Sequence, residues 1–376
     1  MPAPIVYVSS PLGQRTAGPE ALTQFVDALR RRGIESYLIP MRTYRGNRND
    51  PEYDGYDFEV ATDIQDPDNA VLVMSEVSPI ETQRELSRVP RESTWLGWFS
   101  VSNCPDPRAR YYRPSEACCS TFPPGHEPDA PPVRADLGLG TAIEHGPLKT
   151  WREARRRAPG HSLGAYRAAA VDTVSMHYAA GLIDDPRLRF FAQSYFAQGF
   201  AREVLERDAM IITDPIRVVD VKHEARRHNT VLYNVVKSGT MIAAVQALLP
   251  DVEFRPIEKM SFAEVAQALS EGTVYLELGH LPGRDRMSRE AAHFGTPVVV
   301  LARGAGYCWQ DFPLPVGYRI PFQEGWPVQA AAAVRRVLDD PDQAIRDQQS
   351  YREWVAGERE RYEEAMDRWA DAALKA

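Results

Sequence analysis

The chain has 376 residues, 44% of them hydrophobic, which is enough for two domains with full cores. Its net charge of −8 argues against the basic face or stripe that nucleic-acid binding requires. No apolar run reaches the ~18 residues of a membrane-spanning helix, and the opening MPAPIVYVSS lacks the basic and long apolar regions of a secretory leader.

Cysteines stand at 104, 118, 119 and 308, with no C-x-x-C pair and no histidine at zinc-ligand spacing. A reducing, cytoplasmic setting without a metal site is therefore expected.

Residues 5–8 read as a short buried strand, followed by the polar loop SSPLGQRTAGPE with Gly13 and Gly18. Residues 21–32 read as a helix, because Leu22, Phe25, Val26 and Leu29 recur at i, i+3, i+4 and i+7, and Gly33 is a good stop. Strands are expected at 37–39, at 70–74 (running into Ser75 and Glu76) and at 94–101. Such a β-loop-α-β opening predicts a doubly wound α/β sheet. The Pro- and Arg-rich stretch 104–160 receives no element. Residues 187–207, RLRFFAQSYFAQGFAREVLER, predict one helix whose aromatic stripe faces a core. Short strand ends are expected at Ile211-Ile212 and Val218-Val219, and the charged run at 222–229 marks the boundary between halves.

The second half restarts the alternation. Strands are expected at 230–233, 252–255, 274–278 and 298–301, with helices at 241–249 and 328–338. Ser261 and Glu264 form an S-x-x-E capping box that opens a further helix, to 269. Residues 341–374 read as a charged helical segment whose Tyr351, Trp354, Tyr362 and Trp369 are suited to dock on the first half. The expected domains are 1–222, 223–340 and a returning C-terminal segment, 341–376.

Two loops of the second half carry the chemistry. Loop 234–240 begins at Asn234 and offers Lys237, Gly239 and a following helix; loop 279–289 offers Gly283, Arg284 and Arg286. In an open α/β sheet both loops lie at the carboxyl ends of strands, where ligands bind. Paired cations with free backbone N–H groups suit a diphosphate. Glu290, placed in the first turn of the next helix, is suited to accept hydrogen bonds from two sugar hydroxyls. The combination points to a nucleotide sugar. Glu76, at a strand end by the cleft, and His280, in the donor loop, are the candidates for acid-base work. His177 reads as structural, and Trp95, Trp98 and Trp309 suit either a core or a stacking surface.

The segments LYNVVKSG, FRPIEKMSFAEVAQAL and VYLELGHLPGRDRMSREAAHFGTPVVV resemble the donor half of GT-B glycosyltransferases, nearest the retaining group called family 4. SEVSP, WLGWFSVSN and FFAQSYFAQGF are similar to first-half segments of bacterial GT-B proteins linked to surface-polysaccharide synthesis. The resemblance implies two Rossmann-like domains facing a cleft, with a C-terminal helix returning to the first. It implies transfer of a sugar from a nucleotide diphosphate sugar, as co-substrate, to a glycan or small-molecule acceptor, by a metal-independent and retaining route without a cofactor. Lys237 would neutralise phosphate, Glu290 would hold the ribose, and Gly283 and Arg286 would lie along the diphosphate or sugar. Ile257 and Glu258 would lie near the base, and Gly13 and Gly18 would lie beneath the donor sugar. No nucleic-acid partner is implied, and peripheral membrane contact stays open. Two departures stand out. Pro282 occupies the place of the family's second glutamate, and no arginine precedes Lys237, so Arg284 or Arg286 is expected to supply the missing cation. A sugar-nucleotide epimerase of the same fold and a degenerate, non-catalytic binding protein are the alternatives.

Overall fold

The computed structural model describes every residue except 1–2, 42–48, 77, 79–81, 83–85, 102–184, 223–227 and 375–376, so His177 and three of the cysteines lie outside the described residues. The first sheet contains β1 (Ile5–Ser10), β2 (Ser36–Pro40), β3 (Ala70–Ser75), β4 (Thr94–Trp98), β5 (Arg189–Ala192) and β6 (Ala209–Ile211), in the order β2-β1-β3-β4-β5-β6. The second contains β7 (Thr230–Asn234), β8 (Glu253–Ile257), β9 (Val274–Glu277), β10 (Val298–Ala302) and β11 (Arg319–Pro321), in the order β11-β10-β9-β7-β8. Every pairing within both sheets is parallel.

Alternation along the strands explains why the first sheet is covered on both sides. Val6, Val8, Val71, Val73 and Trp95 join one core with Leu22, Phe25, Val26 and Leu29 of α1 (Ala17–Arg31). Tyr7, Leu72, Met74, Leu96, Trp98 and Phe190 point into the other. The last helix, α10 (Glu358–Leu374), lies on α1. There the fully buried Trp369 meets Phe25 edge-on at 4.8 Å and Trp95 at 5.6 Å. Tyr362 joins the same core. The C-terminal segment thus returns to the first domain as expected, in three helices rather than one: α8 (Pro341–Asp347), α9 (Gln349–Ala356) and α10. Trp95 and Trp98 are core residues, and Trp309 is also buried.

The expected long helix at 187–207 is two elements. Arg189–Ala192 is strand β5, and α2 (Tyr195–Val204) begins after Ser194, whose hydroxyl accepts from the Ala197 N–H at 3.1 Å. Phe190 and Phe191 bury themselves on opposite faces of the sheet, and a strand buried on both faces has the same apolar density as a buried helix. No strand forms at Val218, which is 63% exposed. The strand expected at 94–101 stops at Trp98, and the helix expected at 241–249 runs from Met241 to Gln246.

Candidate functional site

Both sheets share one strand order, so each has a topological switch point: β1/β3 in the first, β7/β9 in the second. Their carboxyl edges meet. The Val101 N–H donates to the Pro282 carbonyl at 2.8 Å, and Arg15 Nη2 donates to the Met260 carbonyl at 2.6 Å. Gly283 lies so close to β4's end that an added Cβ would sit 2.0 Å from the Phe99 carbonyl oxygen. Gly283 therefore serves a backbone-to-backbone approach between domains.

Glu76 supports this seam from below. Its carboxylate accepts from the backbone N–H groups of Phe99 (3.1 Å) and Ser100 (2.8 Å), fixing the turn that meets the loop holding Pro282 and Gly283. Burial pushes the group up to about 7, against the pull of those N–H groups. Asp311 does a similar job across the domains: it accepts from the N–H groups of Tyr195 and Phe196, both at 2.9 Å, at the start of α2. Burial pushes it up to about 6.

On the second domain's side, Asn234 ends β7 and caps α3 (Val235–Ser238), accepting from the Lys237 N–H at 3.1 Å. Lys237 is 31% exposed and its ammonium pairs with Asp285; burial lowers its pKa. Gly239 follows with φ +52 and open space where a side chain would stand. A side chain at Gly279 would collide with Lys237, so glycine there lets the two loops touch. Asp285 caps α6 (Arg286–His293), accepting from the Ser288 N–H at 3.0 Å. That cap starts the helix at Arg286, which puts Glu290 in its second turn rather than the first. Glu290 is largely buried, 3.8 Å from Arg286 Nε, and burial raises its pKa.

The three arginines of this region have different fates. Arg284 is buried on Glu358 of α10 at 2.6 Å, with its guanidinium 4.0 Å from the Trp354 ring centre. Arg289 is saturated: Nε donates to the Asp285 carbonyl, Nη1 to the Asp214 carbonyl and Glu358, and Nη2 to the Asp214 carboxylate. Arg286 reaches across to Glu20 in the first turn of α1 through Nη1 alone. Glu20, Asp214, Arg289, Asp311 and Glu358 were missed by sequence reasoning. Each is joined to its partner through the fold, and no spacing marks them.

The remaining expected positions are scattered around the crevice. Gly13 (φ +75) lies in the exposed loop after β1, and Gly18 lies in α1's first turn with open space around it. Ile257 ends β8 in register with Asn234, whereas Glu258 is exposed beside Lys259. His280 stands 6.5 Å, edge-on, from the Phe196 ring. Among the described residues no cluster of His, Cys, Asp and Glu could hold a metal, and no helix is long and apolar enough to cross a membrane.

Two parallel doubly wound domains joined at their carboxyl edges, with the last helix crossing back to the first, are the architecture of the GT-B glycosyltransferases. Comparison with solved structures places the chain in that fold. A glycosyltransferase from Rickettsia africae superposes with a TM-score of 0.58 at 8% identity over 100% of both chains. A sucrose-phosphate synthase from Thermosynechococcus elongatus gives 0.53 at 13% identity, over 99% of this chain and 97% of that one. WaaG, a glycosyltransferase involved in lipopolysaccharide biosynthesis, gives 0.50 at 10%, over 99% and 100%. No protein-family model matches the chain, and no curated protein matches it in sequence.

Proposed function

We propose that the protein is a glycosyltransferase that moves a sugar from a nucleotide diphosphate sugar to an acceptor held by the first domain. The observation that carries this reading is the convergence of Lys237, Arg286 and Glu290 at the β7/β9 switch point, opposite the start of α1. Lys237 and Arg286 would stabilise the charge that builds on the departing diphosphate, a role cations perform best in a dry, preorganised site. Glu290 would accept from the ribose hydroxyls. Ile257, at the end of β8, would border the base, and the open space at Gly239 and Gly18 would admit phosphate and sugar. Arg284 is left out of this assignment, because its charge is spent on Glu358. The stereochemical outcome expected from the family 4 resemblance is retention. WaaG's involvement in lipopolysaccharide biosynthesis favours a glycan as acceptor.

A thermal-shift screen over UDP, GDP, TDP and CDP sugars identifies the donor, since ligands of the folded state raise its apparent stability by mass action. Calorimetry with the matching diphosphate then reads Lys237→Ala and Glu290→Ala. Both should weaken binding at least about tenfold, the loss of one charge-assisted contact. Absence of binding by the wild type, or equal binding by both variants, refutes the assignment.

A further inference from the structure

Lys237 and Arg286 share one arrangement. Each is paired with a carboxylate that already has other partners. Glu20, fully buried, also accepts from Arg217 Nε at 3.0 Å and from the Tyr56 hydroxyl at 2.8 Å, both in the first domain. Asp285 keeps its capping bonds from the N–H and hydroxyl of Ser288, at 3.0 and 2.9 Å, whatever Lys237 does. Without its partner cation, Glu20 would keep the ion pair with Arg217, and Asp285 would keep its bonds from Ser288.

Arg286 is moreover only partly used. A guanidinium has five N–H donors; Arg289 engages all three of its nitrogens, and Arg284 leaves only its Nε among the buried donors without a partner. Arg286 commits Nη1 to Glu20, while its buried Nε and Nη2 make no hydrogen bond. Glu290 and Asp214 stand 3.8 and 3.9 Å from those two nitrogens, beyond hydrogen-bond reach. Buried donors of a charged group are costly to leave unmade, which points to an anion not yet in place.

We propose, on the nucleotide-sugar reading of the crevice, that Glu20 and Asp285 are internal stand-ins for the donor's diphosphate, holding Arg286 and Lys237 until the diphosphate takes them. Because Glu20 belongs to the first domain and Arg286 to the second, the exchange also releases an ion pair that ties the domains together. Donor charge would thereby be read as a change in the coupling between the two halves. On release, Glu20 keeps Arg217 and Tyr56 on Oε1, and Arg286 exchanges one charge-assisted contact for another of the same kind.

The test uses calorimetry with pyrophosphate and with UDP, GDP, TDP and CDP. Glu20→Gln removes the competing charge and should tighten pyrophosphate binding about tenfold. Tyr56→Phe removes one of the fallback partners and should weaken binding several-fold. This variant has the opposite sign and stands in if Glu20→Gln does not fold. Pyrophosphate bound equally or more weakly by Glu20→Gln, or unchanged in Tyr56→Phe, overturns the exchange. The nucleotide arm reads the proposed function separately. Preference for one nucleoside diphosphate over pyrophosphate, with no effect at Glu20 or Tyr56, keeps the glycosyltransferase reading and overturns the exchange alone. Pyrophosphate tightened by Glu20→Gln without binding of any nucleoside diphosphate supports the exchange and overturns the nucleotide-sugar reading.

Discussion

Loss of Glu358 should damage the fold severely. The residue opens α10, is 1% exposed, and accepts from Arg284 at 2.6 Å and Arg289 at 2.9 Å. Asp214 of the first domain balances Arg289, so the buried group holds two positive and two negative charges drawn from both domains and the C-terminal segment. Glu358→Ala leaves Arg284 with a ring contact to Trp354 and no ion pair within the group. An uncompensated buried charge of this kind costs about 3–5 kcal/mol. The lost complement to the α10 N-terminus accounts for only about 0.3–1 kcal/mol. Urea unfolding followed by tryptophan fluorescence measures the difference. The double variant Glu358→Met with Arg284→Met restores neutrality and should recover all but about 1 kcal/mol, because an apolar pair of similar volume replaces a buried ion pair at little cost. A loss below about 1 kcal/mol in Glu358→Ala, or a double variant worse than the single, would refute this account.

Other perturbations test the seam and the core. Trp369→Ala empties the site between Phe25 and Trp95 and should cost about 3–5 kcal/mol, with early tryptic cleavage at Arg359, Arg361 and Arg368 as α10 detaches. Gly283→Ala drives a Cβ against the Phe99 carbonyl, so the loop must move; the melting temperature should fall, and a variant that melts with the wild type contradicts the packing. Glu76 has a folded pKa of about 7, raised by burial from an ordinary 4.5. The folded state therefore binds the extra proton between those values, and the stability it contributes below pH 4.5 is lost as pH rises through 7, by about 3 kcal/mol in full. Asp311, raised from 3.8 to about 6, adds the same sign over a lower window. Glu76→Gln should flatten the stability profile between pH 5 and 7 in denaturation curves, and an unaltered slope would show that Glu76 does not carry it.

The βα rhythm was legible because parallel strands buried on both faces are short Val- and Leu-rich runs between turns, as at 70–74 and 298–301. The same property misled at 187–207. Phe190 and Phe191 are a strand pair only because β4 and β6 lie on either side, and no residue within that stretch says so. The capping box at Ser261 could be read because both its partners lie within one turn. At the site, the cationic loops were legible and the anions facing them were not. Arg286 and Glu20 are 266 positions apart, and Arg289 and Asp214 are 75 apart.

Arg284 and Arg286 make the point most sharply. Two residues apart in one loop, they are interchangeable as sources of positive charge when read from spacing. Asp285 between them caps α6, and the chain turns there, so Arg284 falls outside the helix and is buried against α9 and α10, while Arg286 becomes the helix's first residue and faces the first domain. A cation at a helix N-terminus opposes the helix dipole and must be held by carboxylates or by a bound anion. Arg286 has one close carboxylate, two distant ones and two unused nitrogens. Arg289, one turn further on, has every nitrogen engaged. Sequence locates where positive charge is available; how far each of these three arginines is already satisfied by the fold decides which has donors left for a ligand.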